Sequence, residues 1–328
     1  MARRLFLHVG APKTGTSYIE SIIWSQKDRL EADGILLPGN NRKAHDALMG
    51  DVRGGMWAHK DSPWTWDRLV EVANRHEGDV LVSKEMLSAA SDRQAEKAVE
   101  PFRSTEVHLI VTARDLATSI PSWWQQSVRA RISTPFGQYI QNLRDNPRDG
   151  FWLYQDPVSI MRRWAPNFPR DQVHLIAMPR GPGDPAALWR LFASVIGIDP
   201  DDYELPSKPA NHSVGAIEIE LLRRVNVALG DRLPTRMPYI KGVNDVLTRP
   251  ILFDKTAAPL KFGVPDEHTE WLLQRGNEIV EQLRSYPCEI VGELENLTPV
   301  LTPDRVSPDD ITDTQLAERT PKSWLSCW

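Results

Sequence analysis

Residues 10–17 read Gly-Ala-Pro-Lys-Thr-Gly-Thr-Ser and combine two glycines, a lysine and several hydroxyls at a spacing that suits anion binding. A glycine-rich loop before a helix presents backbone N–H groups to an anion. The helix N-terminus stabilises the bound anion by about 0.3–1 kcal/mol more. The alternative interpretation is a plain Gly/Pro turn capped by a threonine. We favour an anion-binding loop, whose donors are expected from five consecutive residues: Lys13, Thr14, Gly15, Thr16 and Ser17.

The loop lies between the sequence patterns of a strand and a helix. Residues 5–9 are a short apolar run, and from Thr16 the apolar residues recur at helical spacing, with Gly34 expected to end the helix. This order matches the frame of a P-loop. In nucleoside triphosphatases, however, the lysine directly follows the second glycine. Here Thr16 holds that place and Lys13 lies inside the loop.

Apolar runs typical of strands alternate with helical patterns along the chain. Strands are predicted at 5–9, 35–37, 80–82, 107–111 and 173–177, helices at 64–75, 92–102, 186–196, 214–228 and 268–283, and a loop at 40–61. This predicts an α/β fold with a P-loop-like central parallel sheet flanked by helices and a mostly helical C-terminal half. Ligands of such sheets bind beyond the carboxyl ends of the strands, where residues 10–17, 83–85 and 114–122 are expected.

Composition narrows the class of protein. The 328 residues include 39 basic and 44 acidic side chains, a net charge of −5, which argues against a general nucleic-acid binder. Cys288 and Cys327 have no metal-like spacing, which excludes a disulfide framework and a Cys-rich zinc site. The first apolar run is too short for a signal peptide, and no stretch approaches the ~20 apolar residues of a membrane span. We expect a cytoplasmic protein with no membrane span and no nucleic-acid partner.

One domain boundary is predicted near the C-terminus. Residues 1–297 are expected to form the α/β domain, and 298–328 a loosely attached, polar, Pro-rich tail. Trp324 and Trp328 in that tail are expected to dock on the domain or on a second subunit. The oligomeric state is left open.

A second motif follows the fourth strand. Arg114 stands at the strand end, and Ser122 follows eight residues later. Pro121 interrupts the expected helix, because an interior proline removes a hydrogen bond and kinks the helix. Ser119 is therefore an alternative to Ser122. The alternative interpretation of Arg114 is a structural one, in which it forms an ion pair at the end of the strand.

The two motifs together resemble those of the sulfotransferases that use 3′-phosphoadenosine 5′-phosphosulfate (PAPS), including bacterial sulfotransferase-like proteins. The resemblance covers roughly residues 4–230 in architecture, although only about twenty of these are motif residues. It implies that residues 12–16 bind the 5′-phosphosulfate, and that Arg114 and Ser122 hold the 3′-phosphate. It also implies in-line transfer of a sulfuryl group from PAPS to a hydroxyl or amine of a small-molecule acceptor, with Lys13 stabilising the leaving oxygen and no metal required.

Two residues are candidates for the general base that the acceptor needs. Glu85 follows the third strand, at a point where cytosolic members of that family place a catalytic histidine, and its alternative role is an ion pair with Lys84. His45 follows the second strand, and its alternative role is that of a surface loop residue. The choice between the two stays open.

The acceptor and two other functions also stay open. Twelve tryptophans suit either docking between helices or an aromatic wall around an apolar or ring-bearing acceptor. Residues 211–213, Asn-His-Ser, are expected to cap a helix or to contact the nucleotide late in the chain. The alternative functions are a P-loop kinase that uses ATP and a non-catalytic nucleotide-binding module of the same fold.

Overall fold

The computed structural model describes residues 1–59, 61–181, 183–206, 214–233, 236–245, 259–301 and 305–319. Its strands form one six-stranded sheet in which each neighbouring pair is parallel. The strands are β1 (Arg4–Gly10), β2 (Ile35–Leu36), β3 (Asp79–Ser83), β4 (Glu106–Ala113), β5 (Val173–Ala177) and β6 (Glu289–Val291). The structure thus confirms the predicted fold class of a parallel sheet flanked by helices.

Helices connect the strands, and in the described part of the C-terminal half they contain many more residues than the strands do. They are α1 (Thr16–Ser25), α2 (Lys27–Ala32), α3 (Arg42–Arg53), α4 (Trp66–Arg75), α5 (Asp92–Val99), α6 (Leu116–Arg129), α7 (Phe136–Asp145), α8 (Gly150–Gln155), α9 (Pro157–Trp164), α10 (Ala187–Ile196), α11 (Ala216–Leu229), α12 (Arg236–Tyr239), α13 (Thr269–Ser285) and α14 (Asp313–Arg319). Among the described residues, no helix is long and apolar enough to cross a membrane.

The strand order β2-β3-β1-β4-β5-β6 places β1 between β3 and β4. After β1 the chain forms β2 and then β3 on one side of β1, and it next crosses to form β4 on the other side. Such a reversal creates a crevice at the carboxyl ends of the strands, the usual ligand site of an open parallel sheet. The loop that follows β1 therefore begins at the switch point.

One core covers the face of the sheet under the loop. Every second residue of the central strands points toward the apolar stripe of α1 and toward α10. The apolar residues therefore recur every two positions in the strands and about every 3.6 positions in the helices. The fully or nearly fully buried members of this core include Phe6, Leu81, Ile110 and Ile176 from the sheet, Ile19, Ile22 and Ile23 from α1, and Trp189, Phe192 and Ile196 from α10.

The described chain divides into two compact units. Unit 1 comprises Met1–Asp115, Arg148–Ala210 and Gly276–Thr298, and contains the sheet. Unit 2 comprises Leu116–Pro147, Asn211–Arg275 and Pro299–Trp328, and contains an aromatic cluster of Trp124, Phe136 and Phe262.

The described part of the C-terminal tail makes specific contacts inside unit 2. Val306 forms a β-bridge with Phe262, and the Asp309 carboxylate accepts hydrogen bonds from the N–H groups of Phe136 and Gly137 (2.8 and 2.7 Å). These contacts attach residues 305–319 to their unit. The predicted boundary after residue 297 stays a prediction, and Trp324 and Trp328 lie outside the described residues.

Some local predictions were wrong. The segment 40–61, predicted as a loop, contains α3, which begins after Asn41 and ends at Gly54. The adjacent glycines at 54 and 55 mark the end of α3, and they do not indicate that the whole segment is a loop. The single helix expected up to Gly34 is two helices, because the chain leaves helical geometry at Gln26. The short edge strand β6 was missed.

We expect Ile22→Ala to lower the free energy of unfolding by about 2–5 kcal/mol, because it deletes a fully buried side chain between α1, the sheet and α10. Urea denaturation followed by circular dichroism measures the change. Met56→Ala is the control, since Met56 is 90% exposed and should shift the value by no more than about 0.5 kcal/mol. Equal effects of the two substitutions would contradict this core.

Candidate functional site

The loop between β1 and α1 has a left-handed backbone at three positions. Gly10 has φ 106°, Lys13 φ 68° and Gly15 φ 84°. Glycine adopts such angles without strain, but they are uncommon for a residue such as lysine. The surrounding structure must therefore hold Lys13 in place, and it does so through the loop's own anchors.

Both glycines of the loop have close neighbours, and at Gly10 the neighbour is backbone, which leaves no room for a side chain. A Cβ at Gly10 would lie 2.7 Å from the backbone oxygen of Glu85, and a Cβ at Gly15 would lie 2.2 Å from a methyl group of Leu188. The first contact brings the Glu85 backbone against the start of the loop. Sequence reasoning predicted that both segments follow strands, and the sheet brings them together.

The loop is anchored to β4 and α8. Ala11 N–H donates to the Thr112 carbonyl (2.7 Å), and the Thr14 hydroxyl donates to the Ala11 carbonyl and contacts the Thr112 hydroxyl, both at 2.5 Å. From α8, the buried Gln155 amide donates to the Pro12 carbonyl (2.8 Å). Thr14 is 1% exposed, so its hydroxyl holds the loop and does not face a ligand.

The start of α1 presents N–H groups that point out of the helix. Within the described part of the chain, the backbone N–H groups of Gly15, Thr16 and Ser17 donate to no protein acceptor, while Tyr18 N–H already bonds to Gly15. Unsatisfied N–H groups at a helix N-terminus favour a bound anion. The Thr16 side chain is buried, whereas Ser17 is half-buried.

Lys13 and Arg114 are two of the cationic side chains at this edge of the sheet. Lys13 is half-buried within the loop. Arg114, also half-buried, directly follows β4, whose residue Thr112 anchors the loop. The arrangement suits a ligand that carries more than one anionic group.

Glu85 begins a 3-10 turn, Glu85–Ala89, directly after β3 and Lys84. Lys84 N–H donates to the His8 carbonyl (2.9 Å), which ties this segment to β1. Three side chains donate to carbonyls of the turn: Arg53 to Met86 (3.1 Å), Trp164 to Leu87 (3.1 Å) and Arg163 to Ser88 (2.6 Å). These bonds fix where the Glu85 side chain begins.

A charge cluster surrounds Lys84. Its ammonium lies 2.8 Å from Asp46 of α3, 3.6 Å from Glu20 of α1 and 3.6 Å from Glu85. The side chains of Glu20, Lys84 and Glu85 are 8%, 13% and 21% exposed. The three carboxylates outnumber the single lysine, so the cluster favours holding a proton.

The pKa values of the cluster follow from this arrangement. Burial first, and the nearby Glu85 carboxylate second, raise the pKa of Glu20 from its ordinary 4.5 to about 7, although the Lys84 ammonium acts in the opposite direction. Burial by itself would lower the pKa of the Lys84 ammonium, but the neighbouring carboxylates raise it above its ordinary value. Lys84 therefore stays charged at neutral pH, whereas Glu20 gains or loses its proton near neutral pH.

His45 is a helix residue, and the loop-residue interpretation of it is wrong. Its ring is 1% exposed, contacts the Trp24 ring (centroids 4.9 Å apart) and has Nδ1 3.2 Å from both the N–H group and the carbonyl oxygen of Ser83. Burial lowers its pKa to about 4, so the ring is neutral. Because a base must reach the proton that it removes, this burial favours Glu85 over His45.

The serine predictions fall in unit 2. Helix α6 runs from Leu116 to Arg129 with Pro121 inside it, so Ser119 and Ser122 lie one turn apart on one helix. Ser119 is buried and Ser122 half-buried. Their role toward a 3′-phosphate stays a prediction, and residues 211–213 lie outside the described residues.

Four buried tryptophans tie elements together through their indole N–H groups: Trp66 to the Ala98 carbonyl, Trp124 to Thr134, Trp164 to Leu87 and Trp189 to Pro200. Trp64 instead lines a cleft of about 740 Å³ beside α3, with Asn40, Asn41, Lys43, His59, Asp61 and Ser62 among its other lining residues. The docking interpretation thus holds for these four tryptophans, and Trp64 lines a surface open to solvent.

Sequence reasoning missed Glu20 and Thr112. Glu20 lies next to Ile19 on the buried side of α1, and an acid on the apolar face of an amphipathic helix is the signal that was available. Thr112 stands in an apolar strand one residue before its end. Nothing in the sequence indicates that its hydroxyl meets Thr14.

Comparison with known proteins yields little for this chain. No family model matches it, and no curated protein matches it. A solved structure that is similar is described as a sulfotransferase from Alicyclobacillus acidocaldarius; it is 16% identical, with 71% of this chain and 96% of that chain covered and a TM-score of 0.38. At that identity and TM-score the likeness carries no argument about function.

We expect Glu20→Gln to change how stability depends on pH. A carboxyl whose pKa is raised in the folded state stabilises the fold below its unfolded pKa, and this contribution is lost as pH rises from 4.5 through about 7. The wild type should therefore lose free energy of unfolding relative to Glu20→Gln across that range, at up to ~1.4 kcal/mol per pH unit. Urea titrations at pH 4.5 to 8 measure the difference.

The control for this prediction is Glu31→Gln, which changes an exposed acid of α2 in the same way. The difference in the free energy of unfolding between this control and the wild type should not change over that pH range. A flat difference for Glu20→Gln as well would show that Glu20 is not held in a proton-favouring environment.

Proposed function

We propose that this protein is a sulfotransferase that transfers a sulfuryl group from PAPS to a hydroxyl or amine of a small-molecule acceptor. The observation that supports the proposal is the loop of residues 10–17 at the switch point of the sheet, with its lysine at position 13 and with N–H groups that, in the described part of the chain, donate to no protein acceptor. The position that a triphosphatase gives to its lysine is held here by Thr16, whose side chain is 3% exposed.

The residues at this edge fit the donor. Unpaired N–H groups at the start of α1 suit the 5′-phosphosulfate, and the left-handed Gly15 allows a ligand to approach the backbone closely. Arg114 supplies the second positive charge that a 3′-phosphate requires, and its planar guanidinium suits phosphate geometry. The 3′-phosphate contacts of Ser122 or Ser119 belong to the same proposal.

When bound, PAPS supplies the sulfuryl group and the bisphosphate leaving group. Lys13 stabilises the negative charge that develops on the bridging oxygen as the bond to sulfur breaks. The N–H groups of Thr16 and Ser17 orient the donor, because such transfers depend mainly on positioning and charge stabilisation. No metal is part of this proposal.

Glu85 is the proposed general base. It accepts the proton of the acceptor hydroxyl or amine as the new bond to sulfur forms. Its backbone is fixed against Gly10, and the ammonium of Lys84 lies 3.6 Å from its carboxylate. His45, the other candidate, is neutral but fully enclosed, so it is second to Glu85. The acceptor itself is unassigned.

We expect adenosine 3′,5′-bisphosphate, the desulfated product, to bind in calorimetric titration without metal, whereas ATP with magnesium binds weakly or not at all. Arg114→Ala should weaken bisphosphate binding by tenfold or more, since a charged hydrogen bond contributes about 1.5–3 kcal/mol. Lys13→Ala should also weaken it. Lys43→Ala, in the cleft beside α3, is the control and should leave it unchanged. If only ATP binds, the result would favour a kinase. If neither ATP nor the bisphosphate binds, it would favour a non-catalytic module.

We expect Glu85→Gln to keep bisphosphate affinity within about twofold and to lower turnover by roughly 10²–10⁴, the usual share of a general base. Release of the bisphosphate from PAPS is the readout, with a panel of phenols, sugars and amines as acceptors. Glu281→Gln, an exposed acid of α13, serves as control. Normal turnover in Glu85→Gln would transfer the role of base to His45.

A further inference from the structure

Beneath the anion-binding loop, four buried polar side chains form a continuous chain that the proposed mechanism does not use. The Ser83 hydroxyl lies 2.8 Å from His8 Nδ1, and His8 Nε2 lies 3.4 Å from the Thr112 hydroxyl. The Thr112 hydroxyl lies 2.5 Å from the Thr14 hydroxyl, which lies 2.5 Å from the Ala11 carbonyl. Each of the four side chains is at most 1% exposed.

The chemistry of these groups determines the direction of every hydrogen bond in the chain. A carbonyl oxygen only accepts, so the Thr14 hydroxyl must donate to Ala11. Its single hydrogen is then used, so the Thr112 hydroxyl must donate to Thr14. Thr112 in turn can only accept from His8, which requires a hydrogen on Nε2.

The same logic sets the other ring nitrogen of His8. Burial lowers the pKa of His8 to about 3, so at neutral pH the ring carries one hydrogen. With that hydrogen on Nε2, Nδ1 accepts from the Ser83 hydroxyl. The opposite tautomer would set the lone pair of Nε2 against Thr112, whose own hydrogen is already used, and an unmade buried bond costs about 1–3 kcal/mol.

We propose that His8 is a positioning residue for the anion-binding loop. In its neutral Nε2–H tautomer it orients Thr112, which orients Thr14, which holds the Ala11 carbonyl and so the turn that carries Lys13. The chain thus transmits the geometry of β3 and β4 into the loop. Its consequence for bisphosphate binding rests on the proposed function, whereas its consequence for the free loop does not.

The tautomer can be observed directly. Long-range ¹H–¹⁵N correlation spectra of the ¹⁵N-histidine-labelled protein at pH 7 distinguish a protonated Nε2 from a protonated Nδ1, and His8→Gln assigns the signal. We expect His8 as a neutral ring with hydrogen on Nε2. A hydrogen on Nδ1, or a charged ring, would overturn the proposal.

A pair of substitutions tests the positioning role. The glutamine side-chain nitrogen reaches about as far from the backbone as Nε2, whereas that of asparagine reaches only as far as Nδ1, so His8→Gln keeps a donor for Thr112 and His8→Asn does not. We expect His8→Asn and Thr112→Val to weaken bisphosphate binding by about tenfold, the equivalent of one buried hydrogen bond, and His8→Gln by less than about threefold. The double variant should be no weaker than either single one.

His108→Asn is the matched control. His108 is also a buried strand histidine, bonded to His174 (2.9 Å) and Glu106 (2.9 Å), so its loss destabilises the same sheet without touching the loop chain. Its bisphosphate affinity should equal that of the wild type. The proposal is wrong if His108→Asn weakens bisphosphate binding as much as His8→Asn does. It is also wrong if His8→Gln binds the bisphosphate no better than His8→Asn, because the loss of affinity is then a general destabilisation.

Hydrogen exchange of the free protein separates this inference from the proposed function. Ala11 N–H, bonded to Thr112 O, should exchange about tenfold faster in His8→Asn and at the wild-type rate in His8→Gln. If the wild type binds no bisphosphate but this pattern holds, the function fails and the positioning role stands. Unchanged Ala11 exchange in His8→Asn would overturn the positioning role even if the bisphosphate binds.

Discussion

The parallel pairing of β1 with β3 on one side and β4 on the other is the constraint from which the rest of the site follows. Residues 5–8 pair with 80–83 of β3, and residues 4–8 pair with 106–110 of β4, with a register shift between His8 and Gly10. Parallel strands end at the same edge, so this pairing brings three loops to one place. Gly10 can lie against the Glu85 backbone only because it lacks a Cβ. The loop of residues 10–17, the proposed anion site, and the proposed base are neighbours for that reason.

Burial and neighbouring charges together set the protonation of the ionisable side chains near the loop. His8 and His45 are both neutral because burial lowers the pKa of each ring well below neutral pH. The carboxyl of Glu20 is also disfavoured as an ion, but three acids share one lysine there, and the outcome is a group that titrates near neutrality. A proton therefore has a place to reside next to the proposed base. Lys84, by contrast, keeps its charge because the same acids surround it.

The fold class and the position of the loop were predictable from sequence. Apolar runs alternated with helical periods, and the glycines at 10 and 15 stood between a strand and a helix, so the strand-loop-helix unit was local information. The α3 helix was not predicted, because Gly54 and Gly55 after it and Pro38 before it suggested a loop throughout. Glu20 was missed for another reason: its partner Lys84 is 64 positions away in the chain, and no local pattern reports such a contact.

The sequence by itself determined which residue types lie in the loop, that Thr16 stands where a triphosphatase has its lysine, and that Lys84 and Glu85 follow an apolar strand. Only the tertiary structure decided that His45 is enclosed while Glu85 keeps partial exposure, and that His8, Thr112 and Thr14 join in one directed chain. The physical reason is that composition and periodicity act over a few residues, whereas burial and hydrogen-bond direction depend on which strands lie side by side. Strand order is set by packing of the whole sheet, not by any one segment.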